Sequence, residues 1–419
     1  MIRSAQWQAR LAALGPGVLF AGAAIGVSHL VQSTRAGAAY GFELLWAVLL
    51  VLLCKYPFFE YAHRYTVATG ESLLQGYARL GRWALGLFMV VIVGSAFITT
   101  AAVTVVTAGL MGTLFKVDVS LTTLSSILLL VILGLLGLGH YRLLDRSMKL
   151  MVLVLGLLTL VAVGMALAHG PVGDPAHMAP GVWSVGGLTF LLALMGWMPA
   201  PLEIGVFSSL WVLEKDKETP NKTTMDSAQF DFHVGYFAAT ILAVAFLSFG
   251  ALIMFGTGAE MSPSGTAFAR QLVDMYSSAL GSWSRWIISL VAFITMFSTT
   301  ITVVDGYSRT LDRGLGLLSA GTAKPAAASR ASWYALLLVV VSLVIIAFFM
   351  SNMKALVDVV TVLAFLTAPL VAVLNFLVVR SPQVPLEHRP GRWLTALSWV
   401  GLIFLAGFGL VWIWVRWLH

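Results

Sequence analysis

Charge is what this chain has least of. Only 10% of its 419 residues are Asp, Glu, Lys or Arg, where a soluble domain carries roughly 25%. Most of the chain therefore has no water to face, and a soluble globular fold is excluded. Cysteine is almost missing as well. The single Cys54 sits inside an apolar run, which excludes an internal disulfide framework and any cysteine-rich metal or iron–sulfur site and leaves packing as its role. No H-E-x-x-H or G-x-S-x-G motif occurs, so the usual hydrolytic enzyme constellations are absent and no catalytic residue is assigned. The longest polar connection, around Glu214 to Asp231, is too short for a soluble output domain, which disfavours a sensor. The formal charge of +7 does not point to nucleic acid, because the Lys and Arg residues sit between apolar runs rather than on a soluble face.

What is present is oil: 59% of the residues are hydrophobic, and the mean hydropathy is +0.92. A bilayer-crossing helix needs roughly 20 mainly apolar residues. Eleven such spans can be read, at 12–38, 43–67, 83–113, 120–139, 145–168, 185–212, 232–256, 283–312, 332–350, 354–379 and 393–416. The lead Met1 to Arg10 is short, basic and amphipathic without a cleavage pattern, so the first span is expected to remain a membrane helix. Alternate loops carry Arg79 and Arg82, then Arg142 and Arg146, Lys215 and Lys217, Arg309, Arg313 and Lys324, and Arg380 and Arg389. The positive-inside rule then places the N-terminus in the cytoplasm and the C-terminus outside, in a cell inner (plasma) membrane. Trp83, Trp183, Trp283 and Trp393 lie near span ends, as interfacial anchors do. The lipid bilayer is the partner this composition demands.

Two spans are interrupted by helix breakers. The first carries Gly15-Pro16-Gly17 and then Ala23-Ala24-Ile25-Gly26-Val27-Ser28-His29; the sixth carries Gly196-Trp197-Met198-Pro199-Ala200-Pro201-Leu202-Glu203. Proline removes a backbone donor, and the carbonyl it frees is tolerated inside a membrane only where it lines a cavity or is bound. A packing kink without a ligand is the alternative. Breaks in spans one and six are where two inverted five-helix repeats place equivalent elements around a mid-membrane substrate. The repeats are expected over 1–180 and 181–382, with an eleventh helix at 383–419. Such symmetry favours a secondary transporter over a channel, whose filter is built from repeated rings of carbonyls or charges.

At these residues the chain resembles the Nramp family of divalent metal transporters. Leu14-Gly15-Pro16-Gly17 opens the first span, Gly41-Phe42-Glu43-Leu44-Leu45-Trp46 opens the second, and Arg64-Tyr65-Thr66-Val67-Ala68-Thr69-Gly70-Glu71-Ser72-Leu73 closes it. Met198-Pro199 stands where the family has Met-Pro-His, and Ser298-Thr299-Thr300-Ile301-Thr302 is similar to its eighth-helix S-S-T-I-T. The resemblance implies an all-α integral membrane protein of the LeuT-type fold. It also implies departures. The family's Asp-Pro-Gly-Asn tetrad falls on Gly26-Val27-Ser28-His29, which removes the aspartate, and Ala200 replaces the histidine after Met198-Pro199. A divalent cation leaving water needs hard anionic oxygens.

The first break offers Ser28, His29, Gln32 and, about one and a half turns past His29, Arg35, which are mostly hydrogen-bond donors. Helix N-termini favour anions, so Gly26, Ser28, His29, Gln32, Met198, Ala200, Pro201, Leu202 and Glu203 are the expected substrate contacts, with no metal ligand set and no cofactor. The alternative is that His29 and Arg35 pair with carboxylates such as Glu203 or Glu43 and merely hold the bundle together. Ser298, Thr299 and Thr300 are expected beside the carbonyls near Ala24, where a sodium ion could couple transport. Ser and Thr bonding back to their own helix is the competing reading. Protons compete as the coupling ion through Lys55, Glu60, His63, Arg64, Asp305 and Asp358. The expected function is secondary transport of a small inorganic ion, with an anion such as bicarbonate ahead of a divalent metal (manganese, iron or magnesium).

Overall fold

The structure is a computed structural model that describes residues 15–137, 141–218, 223–320, 329–349 and 352–418. The basic lead Met1 to Arg10, Leu14 and Lys324 lie outside the described residues. The described chain is helical throughout and contains no strand, as a backbone in lipid requires, since it must satisfy its own polar groups.

The first span is α1 (Pro16–Ala24), a π-helical segment over Val27–Ser33, and α2 (Thr34–Tyr40). Next come α3 (Leu45–Thr69), the short α4 (Leu73–Leu80), α5 (Arg82–Phe115), α6 (Leu121–Gly137) and α7 (Tyr141–His169). The sixth span is split into α8 (Val185–Trp197) and α9 (Ile204–Glu218). The chain continues through α10 (Met225–Ile253), α11 (Gly265–Leu280), α12 (Ser284–Ala320), α13 (Ala331–Phe349), α14 (Met353–Val379) and α15 (Arg392–Leu418). Among the described residues, helices lie over each of the eleven expected spans, both interruptions included, and seven of them are long and apolar enough to cross a membrane. The structure adds α4 and α11, which the apolar-run reading passed over because both are amphipathic rather than uniformly oily. The N-cap of α4 is a reciprocal pair, Ser72 with Gln75, and Tyr77 ties α4 to Asn375 of α14 at 2.5 Å. Trp83, Trp183, Trp283 and Trp393 are all exposed, in keeping with interfacial positions.

The two half-helices of the first span are held by different means. Pro16 starts α1 at a position where a missing N–H costs nothing, and the neighbouring amides are capped from a distance. Gly15 and Gly17 donate to the two carboxylate oxygens of Asp231 in α10, at 2.9 and 2.7 Å. Further along, α2 packs backbone to backbone on α10. A Cβ on Gly37 would stand 1.9 Å from the Leu247 carbonyl oxygen, and one on Gly250 would stand 2.2 Å from that of Thr34. Without a hydrophobic drive between helices in lipid, such close small-residue contact supplies the packing energy. The interrupted first span is thus gripped by α10 at both ends.

This packing predicts that Gly250→Leu forces α2 away from α10. The expected loss is about 1–3 kcal/mol of stability from overpacking, read as a lower unfolding temperature of the purified protein in detergent. An unchanged unfolding temperature would show that α2 and α10 can separate freely.

Candidate functional site

Between α1 and the π-helical segment the chain leaves helical geometry at Ile25 (ψ 56°) and Gly26 (φ −120°, ψ −127°). Glycine is required there by space, because a Cβ at Gly26 would stand 2.8 Å from the Thr299 methyl and 2.9 Å from its hydroxyl. The second interruption, 198–203, has a simple chemical cause. Pro199 and Pro201 lie four residues after Met195 and Trp197, so neither can supply the amide that would continue the helix. The carbonyls at the end of α8 are released, and a side chain takes two of them. The Lys55 ammonium of α3 donates to Met195 O at 2.8 Å, to Gly196 O at 2.6 Å and, more weakly, to Ala200 O at 3.4 Å. Lys55 is completely buried.

The two interruptions touch through Ser28. Its hydroxyl lies 2.5 Å from Ala24 O and 3.0 Å from Pro199 O. It carries one proton, for which the two carbonyls and the adjacent His29 Nδ1 compete. His29 is fully buried, with Nδ1 at 2.7 Å from the Ser28 hydroxyl and 2.9 Å from Ala24 O, and Nε2 at 2.9 Å from Ala239 O of α10. A neutral ring with its proton on Nε2 donates to Ala239 and accepts from Ser28 at Nδ1, while a doubly protonated ring donates from both nitrogens. Either way both nitrogens are engaged within the protein.

Gln32 and Arg35 do face a carboxylate, but it is neither Glu203 nor Glu43. Arg35 forms a two-pronged bond with Asp358 of α14, at 2.7 and 3.1 Å, and donates to the Gln32 side-chain oxygen at 2.8 Å. Gln32 in turn donates to Asp358 and to the Thr361 hydroxyl, and the guanidinium lies 5.2 Å from the centre of the Phe190 ring. Gln32 is therefore a strut between α14 and the first span. Glu203 is buried and accepts from the Tyr307 hydroxyl at 3.2 Å.

Several expected contacts are corrected by this geometry. The Gly26 carbonyl is taken by the amides of His29 and Leu30, which open the π-helical segment. Ala24 O already accepts from the Gly26 amide and faces Ser28 and His29. At the start of α9 the Ile204 amide is bonded to Pro201 O, and the carbonyls of Leu202 and Glu203 are similarly used. This leaves fewer free donors there than a bare helix N-terminus has. Thr300 bonds to its own helix at Met296 O and to Thr107 of α5, so it turns away from the first span. Thr299 does reach α1, but at Gly22 O, 3.4 Å away, while also bonding back to Thr295 O. Ser298 and Met198 are buried.

Residues that the sequence reading did not assign to the site also belong to it. Lys55 had a visible signal, a lysine in the middle of an oily span, but its target carbonyls were out of reach of sequence. Asp358 and Thr361 approach only through the packing of α14. Trp197, at the end of α8, is buried, and its indole N–H has no partner among the described residues. No group of three His, Cys, Asp or Glu side chains able to hold a metal ion occurs among the described residues.

With this geometry in place, known proteins give it context. Residues 17–415 match the family described as natural resistance-associated macrophage protein-like, or Nramp. Uncharacterized protein PM0681 of Pasteurella multocida (strain Pm70) is 38% identical over 416 residues, 98% of this chain and 94% of that one. Metal transporter Nramp6.2 of Populus trichocarpa is 33% identical over 132 residues, 30% of this chain and 24% of that one. Among solved structures, the Eremococcus coleocola manganese transporter in complex with an aromatic bis-isothiourea substituted compound superposes with a TM-score of 0.71. It is 17% identical, and the match covers 97% of this chain and 86% of that one. MhsT in complex with L-phenylalanine gives a TM-score of 0.68 at 13% identity, over 96% of this chain and 98% of that one. At these identities the structural likeness establishes the LeuT-type fold.

The Arg35–Asp358 pair yields a direct test of how α14 is tied to the first span. Removing either partner, as Arg35→Ala or Asp358→Ala, strands a charge and should cost roughly 2–4 kcal/mol. The double variant should be clearly less destabilised than the sum of the two. Strict additivity in thermal unfolding would contradict the pairing.

Proposed function

Because the chain belongs to the Nramp-like family and is thus a membrane transporter and not an enzyme, we propose that its central site carries a small inorganic anion, with bicarbonate as the candidate of fitting size. The observation that carries this reading is the polarity of what is left over at the second interruption. A buried side-chain group left unsatisfied there is a donor, the Trp197 indole N–H, and the released carbonyls of Met195 and Gly196 are bonded to Lys55. A buried donor without a partner is costly, and an acceptor ligand relieves that cost. An anion brings such acceptors; a metal ion brings none.

The mechanism follows from where the mobile parts meet. Ser28 joins the two interruptions by one shared proton, a link that an anion can replace by accepting from the hydroxyl itself. Binding would then exchange an internal bond for a bond to substrate at little net cost. Arg35 and Asp358 close one side by joining α2 to α14. With the N-terminus in the cytoplasm and the C-terminus outside, that is the outer side of an inner (plasma) membrane. In this scheme the halves 1–180 and 181–382 rock about the site, and 383–419 is peripheral. Thr299 beside Gly22 O is the proposed start of a sodium site. Protons carried by the charged residues of α3 are the alternative coupling ion.

A second reading has its own support. The family resemblance, the manganese transporter fold and the Nramp6.2 relative favour a divalent cation, for which Met198, Glu203 and, once released from its internal bonds, His29 would be the ligands. Uptake into proteoliposomes, comparing labelled bicarbonate with manganese under an inward sodium or proton gradient, separates the two. The anion reading expects bicarbonate uptake alone, and manganese uptake alone establishes the second reading. Trp197→Phe, which deletes one donor and keeps the ring, should raise KM for the anion about tenfold, the worth of one hydrogen bond. It should not lower the unfolding temperature. An unchanged KM removes Trp197 from the site.

A further inference from the structure

We propose that Lys55 is a tethered cation: its ammonium fills the carbonyl site opened by the second interruption and thereby keeps free metal ions out of it. The argument begins with the prolines. The end of a helix carries partial negative charge on its unsatisfied carbonyls, and in transporters with discontinuous helices such ends coordinate cations. Pro199 removes the amide due to Met195, so this carbonyl has no partner from its own helix. The Lys55 ammonium approaches from α3 and meets Met195 O, Gly196 O and Ala200 O. An ammonium has three N–H donors, and three carbonyls receive them.

The covalent tether decides the competition with a dissolved ion. An attached ligand acts at a high effective concentration, so a cation at ordinary cellular levels cannot displace the ammonium from carbonyls it already holds. The stem of Lys55 is wholly enclosed, so the head cannot swing out to water without opening the packing of α3 against α8. Lys55 is therefore a positioning and specificity-determining residue: it orders the interruption and sets the charge sign accepted beside it. This rests on the anion reading above for its functional meaning, but its test does not depend on transport.

The test is chemical rescue of purified protein in detergent. Lys55→Ala removes the ammonium and leaves a void the size of its stem. Its unfolding temperature should fall, and ethylammonium chloride should restore about 2–5 °C of the loss in a saturable way. Tetramethylammonium chloride at the same ionic strength, which has charge but no N–H, should restore none. Lys55→Met fills the space of the stem and should respond to neither salt. If Lys55→Ala survives purification only with ethylammonium present, the proposal stands; if it survives with neither salt, or if both salts stabilise it equally, the carbonyls are not a cation site and the proposal fails. Failure of the anion reading looks different, since it is manganese uptake by the unaltered protein, whatever the rescue shows.

Discussion

Inside a bilayer every backbone polar group must find a partner within the protein, and here the two interrupted spans break that rule and are repaired by three side chains. Asp231 caps the amides of Gly15 and Gly17. Ser28 bridges from Ala24 O to Pro199 O. Lys55 takes the carbonyls released by the proline pair. An unsatisfied peptide group in hydrocarbon costs several kcal/mol, so the interruptions could not persist without these repairs. The position of α3 and α10 around the first span follows from them.

The same economy governs charge. Several buried or half-buried ions are paired: Arg35 with Asp358, Arg64 with Glu60, Arg309 with Asp305. Lys55 and Asp231 differ in kind, because the partners that hold them are neutral backbone groups. Replacing a mobile cation by a fixed one changes what the neighbouring space can attract. On this account a LeuT-type scaffold shared with a manganese transporter need not share its substrate, since the fold supplies the interruptions and individual side chains decide their charge.

Sequence alone carried the architecture further than the site. The spans were legible because repeated apolar runs of bilayer length have no use in a water-soluble fold. The interruptions were legible because Pro199 and Pro201 deny an oily helix two of its amides. The amphipathic α4 and α11 escaped, since their pattern mixes polar residues into short helices. Ser28 was picked out, but its bond to Pro199 O joins residues 171 apart, which no local pattern predicts. The alternative in which Arg35 pairs with a carboxylate such as Glu203 or Glu43 names the right kind of partner, but the carboxylate it meets is Asp358, a choice made by the approach of α14. Thr300 illustrates the opposite limit. Its neighbours in Ser298-Thr299-Thr300 are alike in chemistry, and only the helical phase of α12 decides that Thr299 faces α1 while Thr300 faces Thr107 of α5.

The central claim is that the space between the two interruptions is not built for a divalent metal ion. Anomalous scattering from crystals of the protein grown with manganese in excess addresses it most directly. The account predicts no manganese peak between Gly26, Ser28, Met198 and Glu203, with the Lys55 ammonium still on the carbonyls of Met195 and Gly196. A manganese peak there, ligated by the Met198 sulfur, the Glu203 carboxylate or those carbonyls with Lys55 displaced, would contradict it.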